Sequence, residues 1–356
     1  MQAGPRPQGR GPVWVIHDMI GGMNNKNFLT ATAYCLLPLL LYYVVYEAAV
    51  YVLRLCLSYA AQAGGTPAVI WVNEHAGDVS ALIGAAAMVL GFAAICKTAA
   101  REAPLTRRGY VLRQCGEKGQ SSGKCAQAQT DVFKFDQKTG MANTVMQVTG
   151  NGVQADSAGS SGRVCPASVA AAILLALSSA LFLNLVISMS GASAADAGAS
   201  SAAAQTAAVS LPLGLLYYGI LSPFIEETIF RGITYGRIRT VLRVQSAEGT
   251  GKDAAQSALQ KRHIIAASVL SSLLFGIYHG NLVQGCYAFC MGLIFCAFLE
   301  MMENLAAAAL LHGAVNAMTL LLSQSGLYAQ LCTPAWLAAF FAIAVCSAIC
   351  LARQLR

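Results

Sequence analysis

Three short polar clusters stand in segments that are otherwise apolar: Glu226-Glu227-Thr228-Ile229-Phe230-Arg231-Gly232, Phe275-Gly276-Ile277-Tyr278-His279-Gly280 and His312-Gly313-Ala314-Val315-Asn316. An ionisable group inside a bilayer costs about 3 kcal/mol or more unless it is paired or hydrated, so each cluster is a functional candidate. Helical spacing separates their roles. Glu227 and Arg231 are four residues apart, which stacks them on one face with the acid nearer the amino end, the better orientation for an ion pair. Glu226 is turned away from its neighbour by about 100°. One glutamate can therefore be held by the arginine while the other points elsewhere. His312 and Asn316 are again four apart and form one polar stripe, whereas His279 comes from a different segment with Phe275 one turn before it.

A carboxylate, two imidazoles and an amide donor drawn from three helices are the parts needed to hydrolyse an amide. Glu226 beside a second carboxylate suits a general base on water. His279 could position the water or share its proton. His312 and Asn316 could donate to a tetrahedral oxyanion, a role worth about 3 kcal/mol per donor. The same Glu226, His279 and His312 are also plausible zinc ligands, so a metal-dependent protease is the nearest alternative, although the chain has no His-Glu-x-x-His pattern. A metal-free site is the favoured expectation. A non-catalytic membrane immunity or scaffold protein is the alternative from another class.

These clusters need a membrane bundle to bring them together, and the composition supplies one. The chain is 56% hydrophobic and 11% charged, against roughly 25% charged in soluble domains. A crossing helix needs about 20 apolar residues. Runs of that kind predict an all-α, polytopic bundle of about eight transmembrane helices: Phe28 to Ser58, Val79 to Cys96, Pro166 to Met189, then helices from near Leu211, Ile264, Tyr287, Leu305 and Pro334. The first run is too long for a removable signal peptide and is expected to stay as an anchor.

Lys and Arg favour the cytoplasmic side in short loops. They cluster before the first span, after the second, after the fourth and at the end of the chain, while 63–77, 191–205 and 323–333 have none; Arg54 is the exception. Both termini are therefore expected in the cytoplasm. The net charge of +7 follows from this topology and implies no nucleic-acid partner. The expected organisation is a cytoplasmic segment at 1–27, two crossings in 28–100 and a mobile cytoplasmic loop at 101–164. A third crossing and an external loop fill 165–210, the candidate catalytic core spans 211–322, and a last crossing with its tail completes 323–356. Within the 101–164 loop, Thr130 to Phe135 could form a short strand, and Cys115 and Cys125 are too few for a zinc site. Most of the twelve cysteines lie in apolar runs and read as small hydrophobes.

The three patterns Glu-Glu-x-x-x-Arg, Phe-x-x-x-His and His-x-x-x-Asn, in this order on hydrophobic helices, resemble those of the CAAX prenyl endopeptidase and bacteriocin-processing family of intramembrane glutamate-type proteases. The resemblance covers about Leu211 to Leu322. It implies that Glu226 and His279 activate the hydrolytic water, that His312 and Asn316 stabilise the oxyanion, and that Glu227 and Arg231 organise the site. It also implies a peptide or protein substrate in or at the membrane, no required cofactor, a multi-pass location for which the bacterial plasma membrane is expected, and processing or bacteriocin-immunity roles. One geometric condition follows. If the helix bearing Glu226 left the membrane at Arg231, Glu226 and His279 could not meet, so a continuous helix from Glu226 to about Thr240 is expected.

Overall fold

The computed structural model describes residues 25–103, 165–246 and 253–354. Most of the 1–27 segment and of the 101–164 loop, including Cys115, Cys125 and the strand expected at Thr130 to Phe135, lies outside the described residues. Every regular element among the described residues is helical. In chain order they are α1 (Asn25–Ala63), α2 (Gly65–Glu74), α3 (Ala76–Glu102), α4 (Pro166–Met189), α5 (Ala192–Ala195) and α6 (Ala197–Ala208). A composite helix, α7, occupies 211–246, followed by α8 (Asp253–Tyr278), α9 (Leu282–Met302), α10 (Leu305–Gln324), α11 (Leu327–Leu331) and α12 (Pro334–Gln354).

The chain is thus an all-α membrane protein. Six of the described helices are long and apolar enough to cross a bilayer, or seven if α6 and α7, bent by 120° at their junction, form one broken span. Eight were expected. The one from near Ile264 is missing from the six or seven because α8 begins with Gln256, Gln260, Lys261, Arg262 and His263, leaving a short apolar half. The 191–205 stretch, expected as loop, is mostly helix. Its alanines carry the highest helix propensity, and Asp196 caps α6 by accepting from the Ala199 N–H at 3.0 Å.

Prolines shape the two helices that matter most. Pro38 lies inside α1 and has no N–H to offer Tyr34 one turn back. The Tyr34 carbonyl accepts instead from the Arg237 guanidinium of α7, a neighbour satisfying a backbone group that proline released. Arg237 also clasps Glu102 at the end of α3 with two bonds of 2.6 and 2.8 Å. Two residues on, Arg239 reaches Glu300 near the end of α9 at 2.7 Å, and the Tyr235 hydroxyl donates to the same carboxylate oxygen at 2.8 Å. Four helices are therefore tied at one level of the bundle.

α7 is continuous from Leu211 to Ser246, but not uniformly α-helical. Tyr217–Leu221 and Thr228–Thr234 are π-helical turns flanking the α-helical Ser222–Glu227. Such wide turns inside α-helices recur at functional sites. The first has a local cause in Pro223. The Ser222 N–H bonds to the Tyr217 carbonyl, five residues back, and in that register the next donor would be Pro223, which has none. The Tyr218 carbonyl is left for a partner on another helix. Around α7, α1 packs along α3, α8 along α9 and α4 along α12. The core runs through Tyr42, Met88, Ile225, Ile229, Phe230, Phe275, Phe295 and Leu311.

Candidate functional site

Glu226, Glu227, Arg231 and His312 converge between α7 and α10, all of them buried. The Arg231 Nη1 lies 3.0 Å from Glu227 Oε1. The His312 Nδ1 lies 2.9 Å from the same oxygen. Because a carboxylate only accepts, Nδ1 must carry the proton there. Glu227 thus has its charge engaged from two sides and is poorly placed to take a proton from water.

Glu226 is held differently. Its Oε1 accepts from the Ser222 hydroxyl one turn back, at 2.6 Å. Its Oε2 faces His312 Nε2 at 3.8 Å, beyond direct hydrogen-bond range. Each acid keeps its Oε2 without a direct hydrogen bond, but only Glu227 has its other oxygen taken by both a guanidinium and an imidazole, whereas that of Glu226 meets a neutral hydroxyl. The environment, rather than residue type, separates their roles.

Aromatic rings fix the cations and imidazoles. The Arg231 guanidinium, 1% exposed, sits 4.3 Å from the Phe275 ring centre and 5.5 Å from that of Phe295. None of its three nitrogens makes a well-aligned hydrogen bond, so rings and the Glu227 charge hold it. His312 stacks on Phe295 with centroids 4.6 Å apart and meets Phe275 edge-on at 5.8 Å. His279 follows the last residue of α8. Its Nδ1 bonds the Phe275 carbonyl at 2.8 Å. A carbonyl cannot donate, so Nδ1 carries the hydrogen and Nε2 keeps its lone pair. His279 also interacts electrostatically with Glu226, His312 and Arg231.

Asn316 makes a contact with the backbone of α7. It lies one turn beyond His312 on α10, and its Nδ2 donates at 3.0 Å to the Tyr218 carbonyl, the acceptor left over by Pro223. One of its two amide hydrogens therefore ties α10 to the π turn of α7. The two helices touch closely there, since a Cβ placed on Gly313 would lie 2.2 Å from the Gly219 carbonyl oxygen.

The depth of the site follows from the same contacts. Glu226 precedes Arg237 by eleven residues, roughly 16 Å of helix and half a bilayer core. The Ser271 hydroxyl of α8 donates to the Phe230 carbonyl of α7 at 2.7 Å, which puts the two helices in register at that level. From there His279 is eight residues along α8 and Glu226 four residues back along α7, so both lie on the same side of that contact. α7 continues past Arg231, which is enclosed in the bundle rather than exposed at its edge.

Spacing alone had not singled out Ser222, Phe295 and Tyr42. The Ser222 to Glu226 interval was a readable i, i+4 signal, while Phe295 and Tyr42 join the site only through tertiary packing. Among the described residues no three His, Cys, Asp or Glu side chains converge closely enough to hold a metal ion.

The site is thus a buried acid pair, with an arginine held by one of the acids and imidazoles from two further segments of the bundle. Residues 208–318, about a third of the chain, match the family model described as Type II CAAX prenyl endopeptidase Rce1-like. The match contains Glu226, Glu227, Arg231, His279, His312 and Asn316 and excludes α1, α3 and α4. No curated protein and no solved structure matches the chain.

Proposed function

We propose that the chain is an intramembrane endopeptidase that hydrolyses a peptide bond of a membrane-associated or lipid-modified peptide by a metal-free, glutamate-dependent route. The observation carrying this reading is the asymmetry of the acid pair: Glu227 Oε1 is shared by Arg231 and His312, whereas Glu226 Oε2 faces His312 Nε2 at 3.8 Å without a direct bond.

Glu226 takes a proton from water as its oxygen attacks the scissile carbonyl carbon. The Ser222 hydroxyl fixes the carboxylate from its other oxygen. His279, with Nε2 free to accept, orients the same water. The carbonyl oxygen becomes an oxyanion, which His312, as an imidazolium protonated at both ring nitrogens, and the second amide hydrogen of Asn316 are suited to bind. Glu227 and Arg231 position His312 throughout. Collapse of the tetrahedral intermediate breaks the C–N bond, and Glu226 returns its proton to the leaving nitrogen, giving a carboxylic acid and an amine, between which a proton passes on release to leave carboxylate and ammonium. A buried, aromatic-walled site strengthens each of these electrostatic contacts.

The test is hydrolysis of an internally quenched, farnesylated peptide and its unprenylated counterpart by the purified protein in lipid nanodiscs. Loss of a general base costs roughly 10²–10⁴ in rate, so Glu226→Gln should fall by that factor on whichever peptide is cut. Cleavage undiminished in Glu226→Gln would refute the proposal.

A further inference from the structure

The matched family segment does not build the site alone. Tyr42 of α1 is completely buried, although only 17% of the most apolar window of that helix is buried within the bundle. Its hydroxyl lies 3.3 Å from the hydroxyl of Tyr278, the residue immediately before His279. The two rings are 6.2 Å apart, Tyr46 stacks on Tyr42 at 6.0 Å, and Phe230 holds Tyr278 at 5.4 Å. The space for Tyr42 is carved into α3: a Cβ on Gly91 would stand 2.9 Å from the Tyr42 ring and 3.1 Å from its carbonyl oxygen.

Burying two phenol hydroxyls in an apolar bundle is costly unless each finds a partner. The pair satisfies one donor and leaves the second hydrogen to be given onward. Tyr278 stands between this contact and the site, its ring edge-on to that of His279 at 5.8 Å.

We infer that Tyr42 is a positioning residue of the reaction centre: through its hydroxyl contact it fixes Tyr278, and through Tyr278 the neighbouring His279 imidazole, so that α1, outside the family segment, completes the site. This rests on the proteolytic reading above. Tyr42 acts only through Tyr278. A purely structural Tyr42 would affect folding and leave turnover per folded molecule alone.

The experiment measures kcat and KM in nanodiscs for the wild type, Tyr42→Phe, Tyr278→Phe, the double variant, Gly91→Ala and Glu226→Gln, using the farnesylated and unprenylated quenched peptides. Tyr51→Phe, exposed on the same helix, is the control and should match the wild type. Loss of one neutral hydrogen bond corresponds to roughly a 5- to 10-fold effect. The expected result is a fall of that size in kcat for Tyr42→Phe with KM unchanged, a similar fall for Gly91→Ala, and no further effect of Tyr42→Phe once Tyr278 is Phe. Wild-type kcat in Tyr42→Phe, or an effect that persists in the Tyr278→Phe background, overturns the inference while leaving the proteolytic reading intact, provided Glu226→Gln is inactive. If Glu226→Gln retains wild-type turnover, or the wild type cuts neither peptide, the proteolytic reading fails and the inference with it.

Discussion

The approach of α7 to α10 can be tested by adding one carbon atom. Gly313 sits between His312 and the Asn316 turn, and an alanine there would place its Cβ 2.2 Å from the Gly219 carbonyl oxygen, where ordinary contacts begin at 3.4 Å. The helices would have to part by about 1.2 Å, the difference between those two values. That separation falls on the contacts between His312 and the acid pair, stretching the 2.9 Å bond to Glu227 and the 3.8 Å approach to Glu226 by a similar amount. Overpacking of this kind costs about 1–3 kcal/mol of stability, and misplacement of a reacting group by about 1 Å can cost 10²-fold in rate. Gly219→Ala is the matched control, because its Cβ meets Ala317 at 3.6 Å, an ordinary contact. Peptide hydrolysis and thermal unfolding in nanodiscs should show Gly313→Ala strongly impaired and Gly219→Ala close to wild type. Equal behaviour of the two variants would refute the packing argument.

Glu227→Gln removes the counter-charge of a buried Arg231, and breaking one side of such a pair costs about 3–5 kcal/mol. Its melting temperature should drop far more than that of Glu226→Gln, measured by differential scanning in the same lipid. Glu102→Ala abandons the two bonds to Arg237; because Glu102 is a quarter exposed, the loss should be about 2–3 kcal/mol, somewhat below the fully buried case, with turnover per folded molecule retained. Asp196 is held below the usual carboxylate range chiefly by the Ala199 N–H. A depressed folded value gives stability that is present above the unfolded value, roughly 3.9, and is lost as pH falls through the folded one. The melting-temperature gap between wild type and Asp196→Ala should therefore be constant near neutrality and close in acid.

The acid pair and its partners were legible because their information is local. Glu227 and Arg231, or His312 and Asn316, share a helix face at any four-residue spacing, and charged residues in apolar runs are conspicuous. What each group does with its hydrogen bonds was less accessible. Asn316 donates to Tyr218 because Pro223 cannot, a consequence of a π turn whose register depends on contact with a helix 98 residues further along. Tyr42 was hidden for a different reason: in a uniformly apolar helix, neighbouring tyrosines at 42, 43 and 46 carry no signal of which faces lipid and which faces protein. The short polar run before α7 looked like a loop because Ser, Gly and Asp interrupt it, yet its alanines and the Asp196 cap suffice for a helix. The apparent mismatch in depth between Glu226 and His279 came from treating Arg231 as an interfacial charge, whereas it is paired inside the bundle.

The account depends most on Glu226, and the most direct measurement is a comparison of membrane peptides, by mass spectrometry, between cells expressing the wild type and cells expressing Glu226→Gln at equal levels. The expected result is at least one new peptide terminus present with the wild type and absent with the variant, at a site within or beside an apolar or lipid-modified segment. Identical peptide profiles, with both proteins folded in the membrane, would contradict the assignment of Glu226 as the base of a peptide-bond hydrolase.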